Sequence, residues 1–233
     1  MWQEAWRLIR HDLQRAWWNY LLVMVLSLFF GAWTTLMLRG LTTGYSPDRY
    51  LLDFYFLAVV PIIGCPWYTG KYSERTQKQL RFYRSLPISV SGVVLSRILT
   101  VVLRAVSNAL VMFGALYAFS PELRAMLTPL EFLWFALIWF GYGLALSLWY
   151  TYWEMNSGSQ LKFWLYSSWY VVLWVGMCLL WWLVFDVLVL SSVIELARSF
   201  GWVAGLGSLV LGGLVTVYWW KLAKSNLEKR PLF

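Results

Sequence analysis

Side chains that commonly carry out chemistry are scarce in this sequence. Its 233 residues include a single histidine, His11, and two cysteines, Cys65 and Cys178, which lie in separate apolar runs. Zinc sites need several cysteine or histidine ligands, and most catalytic triads need a histidine. We therefore expect no catalytic residue, no metal site and no cofactor-binding site in this chain.

A stretch from Gly64 to Lys71 partly matches a phosphate-binding loop. Such a loop needs four residues between its two glycines and a serine or threonine after its lysine. Here five residues separate Gly64 from Gly70, Tyr72 follows Lys71, and no strand-like run precedes the stretch. We expect that this chain does not itself bind ATP.

The composition indicates that membrane-spanning helices are the elements that position the functional residues. Hydrophobic residues make up 61% of the chain and charged residues 13%, with a mean hydropathy of +0.60, whereas soluble domains are about 25% charged. These values exclude a soluble domain, a disordered chain and a nucleic-acid-binding protein. Six apolar runs approach the length of about 20 residues that crosses a bilayer core: about 18–38, 54–70, 98–119, 132–153, 163–185 and 199–220. We expect an all-α polytopic membrane protein in which residues 1–233 form a single transmembrane domain.

The basic residues are distributed unevenly between the two sides of the expected membrane. Thirteen of the 19 lie in the terminal segments and in the connections after the second and fourth runs. Because positively charged connections stay in the cytoplasm, both termini are expected there, in a multi-pass protein of the cell membrane. The first apolar run is too long for a cleaved signal peptide, and no small-residue cleavage site follows it.

The first 17 residues have the periodicity of an amphipathic helix. One face carries large apolar side chains and the other carries charged ones: Trp2, Trp6, Ile9, Leu13 and Trp17 against Glu4, Arg7, His11 and Arg15. Tryptophan on one face and arginine on the other are typical of the membrane interface. We predict an interfacial helix over residues 1–17; the alternative is that this segment simply extends the first span.

The connection between the second and third runs predicts a short cytoplasmic helix within residues 73–86, which we call the basic segment. Thr76 and Gln79 fit a capping box at the start of such a helix. Pro87 cannot continue the helix, because it lacks a backbone N–H. Ser89 or Ser91 is then placed to cap the third spanning helix. The chain is expected to leave the membrane, form one exposed basic helix and re-enter.

The order of these elements resembles the type-2 export permeases of ATP-binding-cassette (ABC) transporters. The resemblance rests on the interfacial helix, the six spans and two stretches that lead into the third span: Arg84-Ser85-Leu86-Pro87-Ile88-Ser89 and Val93-Val94-Leu95-Ser96-Arg97. The sequence departs from that family in its 18 tryptophans and in its very short extracellular connections. The substrate class is therefore not carried over from the family.

The resemblance implies that residues 74–83 form a coupling helix, which contacts a separate ATPase subunit that binds and hydrolyses the ATP. The docking residues would be Glu74, Arg75, Lys78, Arg81, Phe82, Tyr83 and Arg84. It also implies a second permease chain, in a homodimer or a heterodimer, and no catalytic activity in this chain. The alternative is that the basic residues only fix the topology and bind anionic lipid headgroups.

The function that the resemblance implies is export across a bacterial membrane. Helices with few polar groups line a water-filled pore poorly, so the expected substrate is amphipathic, a peptide or lipid-like. A membrane scaffold or immunity protein that only binds partners is the alternative, and the sequence alone does not separate it from a permease. A lipid-modifying enzyme is less favoured, because it would need carboxylates or histidines clustered at one membrane face.

Three further sets of residues stand out within the apolar runs. Arg104 and Asn108 either face a conduit or a partner chain, or Arg104 extends toward the cytoplasmic headgroups. Four small residues on one face of the last run allow close helix packing, within the chain or across a dimer seam: Gly201, Gly205, Ser208 and Gly212. Three acidic residues at outer span ends either form a vestibule for a cationic molecule or mark the water boundary: Asp53, Glu131 and Asp186.

Overall fold

The computed structural model describes residues 2–42, 88–156, 160–185 and 188–229, and the shorter pieces 52–53, 55–57, 60, 78 and 82–83. These residues are almost entirely helical, which confirms the all-α class. The continuous helices among them are α1 (Trp2–Thr42), α2 (Val90–Phe119), α3 (Pro121–Met126), α4 (Pro129–Asn156), α5 (Gln160–Phe185) and α6 (Val189–Lys229).

Four of these helices are long and apolar enough to cross a membrane: Trp17–Arg39 within α1, and α2, α4 and α6. They coincide with four of the six expected runs. The run at 163–185 lies within α5, which contains a shorter apolar stretch, Val175–Val184. The run at 54–70 lies mostly outside the described residues. A helical protein with several membrane-spanning helices is therefore supported, and the six-span arrangement stays a prediction.

The N-terminal segment and the first span form one continuous helix, α1. Its 41 residues extend about 62 Å, roughly twice the thickness of a bilayer core. No break divides Trp2–Thr42 at residue 17, as in the alternative of an extended first span, and the interfacial position of residues 1–17 stays a prediction. Trp2 and Trp6 are exposed, as side chains that face lipid would be, whereas Ile9 of the same predicted face is buried together with Ala5.

The helix that contains the third expected run, α2, begins at Val90, well before that run starts at 98. Ser89 caps it, as one of the two expected candidates. Its backbone is extended (φ −66°, ψ 140°), and its Oγ accepts a hydrogen bond from the N–H of Gly92 at 3.2 Å. This bond satisfies one of the first-turn N–H groups, which have no partner inside a helix.

A short helix that the sequence reasoning did not predict, α3, joins α2 to α4. Ser120 caps it, since its Oγ accepts a hydrogen bond from the N–H of Leu123 at 3.3 Å. Pro121 occupies the first helical position, where its missing N–H removes no helical hydrogen bond. Leu123 is buried and fixes α3 to the core.

The last helix, α6, is longer than the apolar run at 199–220 on both sides. Its backbone is kinked at Phe200 (φ −131°, ψ 29°), a position that lies between Ser199 and Gly201. Small flanking residues of this type are a common cause of kinks, because they constrain the helical backbone little.

Two buried clusters mark the two ends of the protein. One cluster includes Leu8 and Leu227, so the start of α1 and the end of α6 lie together; we call this the terminal end. The other includes Leu38, Leu123 and Leu190, and we call it the distal end. Both ends of the described chain therefore lie on the same side of the helix bundle.

The helices are arranged as two pairs. α1 packs along α2, α4 packs along α6, and α2 joins the two pairs through its contacts with α4 and α6. Among the described residues, α5 contacts α4. Because α2 contacts α1, α4 and α6, a movement at the start of α2 reaches both pairs.

Candidate functional site

Three of the residues expected to dock a partner are described, and all three are helical. Lys78 and Phe82 are exposed, Phe82 to 58%, whereas the adjacent Tyr83 is only 2% exposed. The remaining docking candidates lie outside the described residues: Glu74, Arg75, Arg81 and Arg84. The described part of the basic segment thus presents one aromatic ring outward and buries the next.

A polar cluster at the terminal end connects the basic segment to two helices; we call Asp12, Tyr83 and Arg97 the junction. The Oη of Tyr83 donates a hydrogen bond to Oδ1 of Asp12 on α1 at 2.7 Å. Nη1 of Arg97 on α2 lies 3.8 Å from Oδ2 of the same carboxylate. The side chains of Arg97 and Asp12 are 12% and 15% exposed, so solvent screens this pair less than a surface pair.

A second contact joins α1 to the start of α2. The hydroxyl of Ser89 donates a hydrogen bond to Oε2 of Glu4 at 2.8 Å, while the same oxygen caps α2. This hydrogen bond lowers the pKa of Glu4 below its ordinary value, because it favours the ionised carboxylate. The first turns of α1 therefore hold both the basic segment and the beginning of α2.

Tyr83→Phe is expected to lower the free energy of unfolding by about 1–2 kcal/mol, because it removes a partly buried hydrogen bond to a charged acceptor. Tyr218→Phe, at an exposed tyrosine of α6, is the matched control and is expected to change it by less than about 0.5 kcal/mol. Unfolding in mixed detergent micelles, followed by tryptophan fluorescence, measures both. Equal midpoints for the two variants would show that the hydroxyl of Tyr83 does not stabilise the junction.

The structure places Arg104 and Asn108 against the chain's own helices. The Cζ of Arg104 lies 4.5 Å from the ring centre of Tyr20 on α1, within the range of a cation–π interaction. Asn108 is 2% exposed. Both side chains therefore contribute to packing around α2, and a role in a conduit stays a prediction.

The stripe of small residues on α6 packs against α4 of the same chain. A Cβ on Gly201 would lie 2.5 Å from Trp134, and one on Gly205 would lie 2.7 Å from the same ring. The hydroxyl of Ser208 donates to the carbonyl oxygen of Ile138 at 3.0 Å. A Cβ on Gly212 would lie 3.4 Å from the carbonyl oxygen of Gly141, an ordinary contact. The expected alternatives were packing within the chain and packing across a dimer seam. These contacts are packing within the chain.

Asp53, one of the three acidic residues considered for a vestibule, is buried (1% exposed). Its Oδ2 accepts hydrogen bonds from Nε1 of Trp182 and from the N–H of Val189, and its Oδ1 accepts one from the N–H of Leu190 at 2.9 Å. These two N–H groups belong to the first turn of α6, where the helix dipole favours a negative charge. Asp53 therefore joins its own segment to the end of α5 and the start of α6.

Glu131 likewise stabilises the start of a helix. Its Oε2 accepts hydrogen bonds from the N–H and the hydroxyl of Thr128 at 2.7 and 2.8 Å, and its own N–H donates to that hydroxyl at 3.4 Å. This arrangement is a capping box, and the sequence Thr-Pro-Leu-Glu contains the signal for it, which the sequence reasoning missed. Asp186 lies outside the described residues.

Comparison with known proteins finds no relative: no family model, no curated protein and no solved structure matches this chain. Within the described ranges, no group of three or more histidine, cysteine, aspartate or glutamate side chains is placed to hold a metal ion. Four helices of membrane-spanning length and apolar composition, with a polar junction at one end, define a helical membrane protein of multi-pass type. Its activity is inferred from this geometry.

Proposed function

We propose that this chain is the transmembrane permease subunit of an ATP-driven exporter of the ABC type. In this proposal six spans cross the cell membrane, both termini are cytoplasmic, and ATP is bound by separate ATPase subunits. The observation that carries it is the contrast between Phe82, which is 58% exposed, and Tyr83, which is hydrogen-bonded to Asp12. An exposed side chain whose neighbour is fixed to a spanning helix is suited to receive force from a partner.

The two helix pairs suggest how that force is used. The ATPase subunits would push on residues 74–83 when they close on ATP. Through the junction, the push reaches α1 and α2 together, and this pair moves relative to α4 and α6. A path then opens between this chain and a second permease chain, because a small contact change shifts packed helices between discrete arrangements rather than deforming them.

The proposed substrate is amphipathic, a peptide or lipid-like. Among the described residues, Arg104 is the basic side chain deepest within an apolar helix, and it packs on Tyr20. A hydrophilic solute would need several polar groups along its path to replace its hydration shell. The aromatic and aliphatic surfaces of the described helices instead suit a molecule that partitions into the membrane.

The test is the co-purification of ATPase subunits with the tagged chain from its own cells. Replacing Arg75, Lys78 and Arg81 together by glutamate is expected to abolish this association, because like charges then face a surface that binds cations. The matched control replaces three basic residues of α6 near the terminal end by glutamate: Lys221, Lys224 and Lys229.

Four outcomes separate the explanations. Loss of the ATPase only in the first variant supports docking on the basic segment. An ATPase that stays bound to the first variant contradicts this docking surface. Equal loss in both variants indicates that the charges act on topology or on anionic lipids. If the wild-type chain purifies with partners that lack ATPase activity, it is a scaffold or immunity protein.

A further inference from the structure

A lateral groove lies between α2 and α4, in the half of these helices nearer the distal end. Its volume is about 410 Å³, within the range of about 300–1,000 Å³ that is typical of small-ligand sites. The side chains along it are apolar apart from the phenol of Tyr117. Its floor and walls include Ala109, Phe113, Gly114, Phe132, Ala136 and Phe140.

The length of the groove corresponds to one leaflet of a bilayer. It runs along α2 from Val106 to Tyr117, a distance of about 16 Å at 1.5 Å per residue. Half of a hydrocarbon core is about 15 Å. At its distal end lie Tyr117 and Pro129, and tyrosine is typical of the headgroup level.

The rim of the groove is poorly suited to close packing against another helix. It carries large exposed side chains, Leu110 (71% exposed) and Leu133, whereas close helix contacts use small residues. The stripe Gly201, Gly205, Ser208 and Gly212 of α6 is already packed against α4. A slender, flexible chain suits a groove with a rim of large side chains.

We propose that this groove binds one alkyl chain of a membrane lipid in the leaflet at the distal end. Lipid tails are as apolar as leucine, so the binding comes from the fit of the chain between aromatic walls rather than from the hydrophobic effect. The bound lipid stays with the protein longer than its other lipid neighbours. This site is independent of the proposed export function and needs no ATPase.

Gly114 offers a direct way to fill the groove. A Cβ on Gly114 would meet no atom within 4 Å, and Gly114 lines the groove, so Gly114→Phe is expected to place its ring in the groove. Gly207→Phe on α6 is the matched control, because a Cβ there also meets nothing within 4 Å and Gly207 does not line the groove. Gly114→Leu provides a smaller filling side chain if the phenylalanine variant folds poorly.

The experiment reconstitutes each purified variant in phosphatidylcholine vesicles that contain phosphatidylcholine with a photoreactive diazirine in one alkyl chain. Wild type and Gly207→Phe are expected to be labelled mainly in peptides that contain Val106–Tyr117 and Pro129–Phe140. In Gly114→Phe this labelling is expected to fall about tenfold, which corresponds to a binding loss of about 1.4 kcal/mol.

Labelling that is spread evenly over the exposed faces of α5 and α6, or that is unchanged in both Gly114 variants, would overturn the proposal. Labelling absent from the groove in wild type, together with a changed oligomeric state in Gly114→Phe, would assign the groove to a second copy of the chain and would also overturn it.

Discussion

Gly141→Leu is expected to lower the free energy of unfolding by about 3 kcal/mol, at the upper end of the range for overpacked positions. A Cβ on Gly141 would lie 2.6 Å from the backbone oxygen and 2.8 Å from the carbonyl carbon of Ser208. Backbone atoms in two helices have no rotamer change that relieves such a contact. The leucine therefore pushes α4 and α6 apart, and the contacts between Trp134 and the small residues of α6 are lost with it.

The matched control is Gly213→Leu on α6, where a Cβ would meet nothing within 4 Å. It is expected to change the free energy of unfolding by less than about 1 kcal/mol, because leucine is also the better helix former. Unfolding in mixed detergent micelles measures both variants. If Gly141→Leu unfolds at the same detergent fraction as Gly213→Leu, the close approach of α4 to α6 is not a source of stability.

Asp53→Ala is expected to lower the free energy of unfolding by about 3–5 kcal/mol. It leaves three donors without their acceptor: two backbone N–H groups at the start of α6 and the indole N–H of Trp182. Each buried donor without a partner costs about 1–3 kcal/mol. Water at this buried position can compensate only in part.

Asp53→Asn distinguishes the contribution of the negative charge from that of the hydrogen bonds. The amide keeps one acceptor oxygen of the same shape, so about half of the loss is expected to remain. Thr128→Ala, which breaks the exposed capping box at Glu131, is the comparison and is expected to cost about 1 kcal/mol. Thermal unfolding of the detergent-solubilised chain ranks the three variants. An Asp53→Ala variant no less stable than Thr128→Ala would contradict a structural role for this carboxylate.

Features that depend on one helix alone could be predicted from the sequence. The apolar runs predict the spanning helices, because crossing a bilayer needs a long uninterrupted apolar stretch. Ser89 was recognisable as a cap, because the residue types that cap helices are few and Pro87 limits where the helix can begin. The spacing of Gly201, Gly205, Ser208 and Gly212 predicts a packing face, because it puts small side chains on one side of a single helix.

Contacts between distant segments could not be predicted. Asp12 and Tyr83 are 71 residues apart, and Asp53 and Val189 are 136 apart. Nothing in the residues around Asp53 indicates that its partners are the first N–H groups of α6. A pattern specifies which face of a helix is buried, but the partner helix follows from the packing of the whole chain.

The described helices extend beyond the expected spans for a different reason. The expected spans mostly end beside charged residues, which mark where the chain meets water. A helix ends only where its hydrogen-bond series stops, and charged residues do not interrupt that series. Glu195 and Lys224 therefore lie within α6, and Arg97 lies within α2.

The continuity of α1 has a mechanical consequence. A rod of 41 residues without a hinge acts as a lever: a tilt of about 10° at Thr42 swings Trp2 through roughly 11 Å. Conversely, when the first helical turns of α1 are displaced sideways, the whole helix rotates by a small angle. Tyr83 and Ser89 contact α1 near its N-terminus, at Asp12 and Glu4. Large displacements there therefore become small rotations, with greater force, of the part of α1 expected to lie in the bilayer.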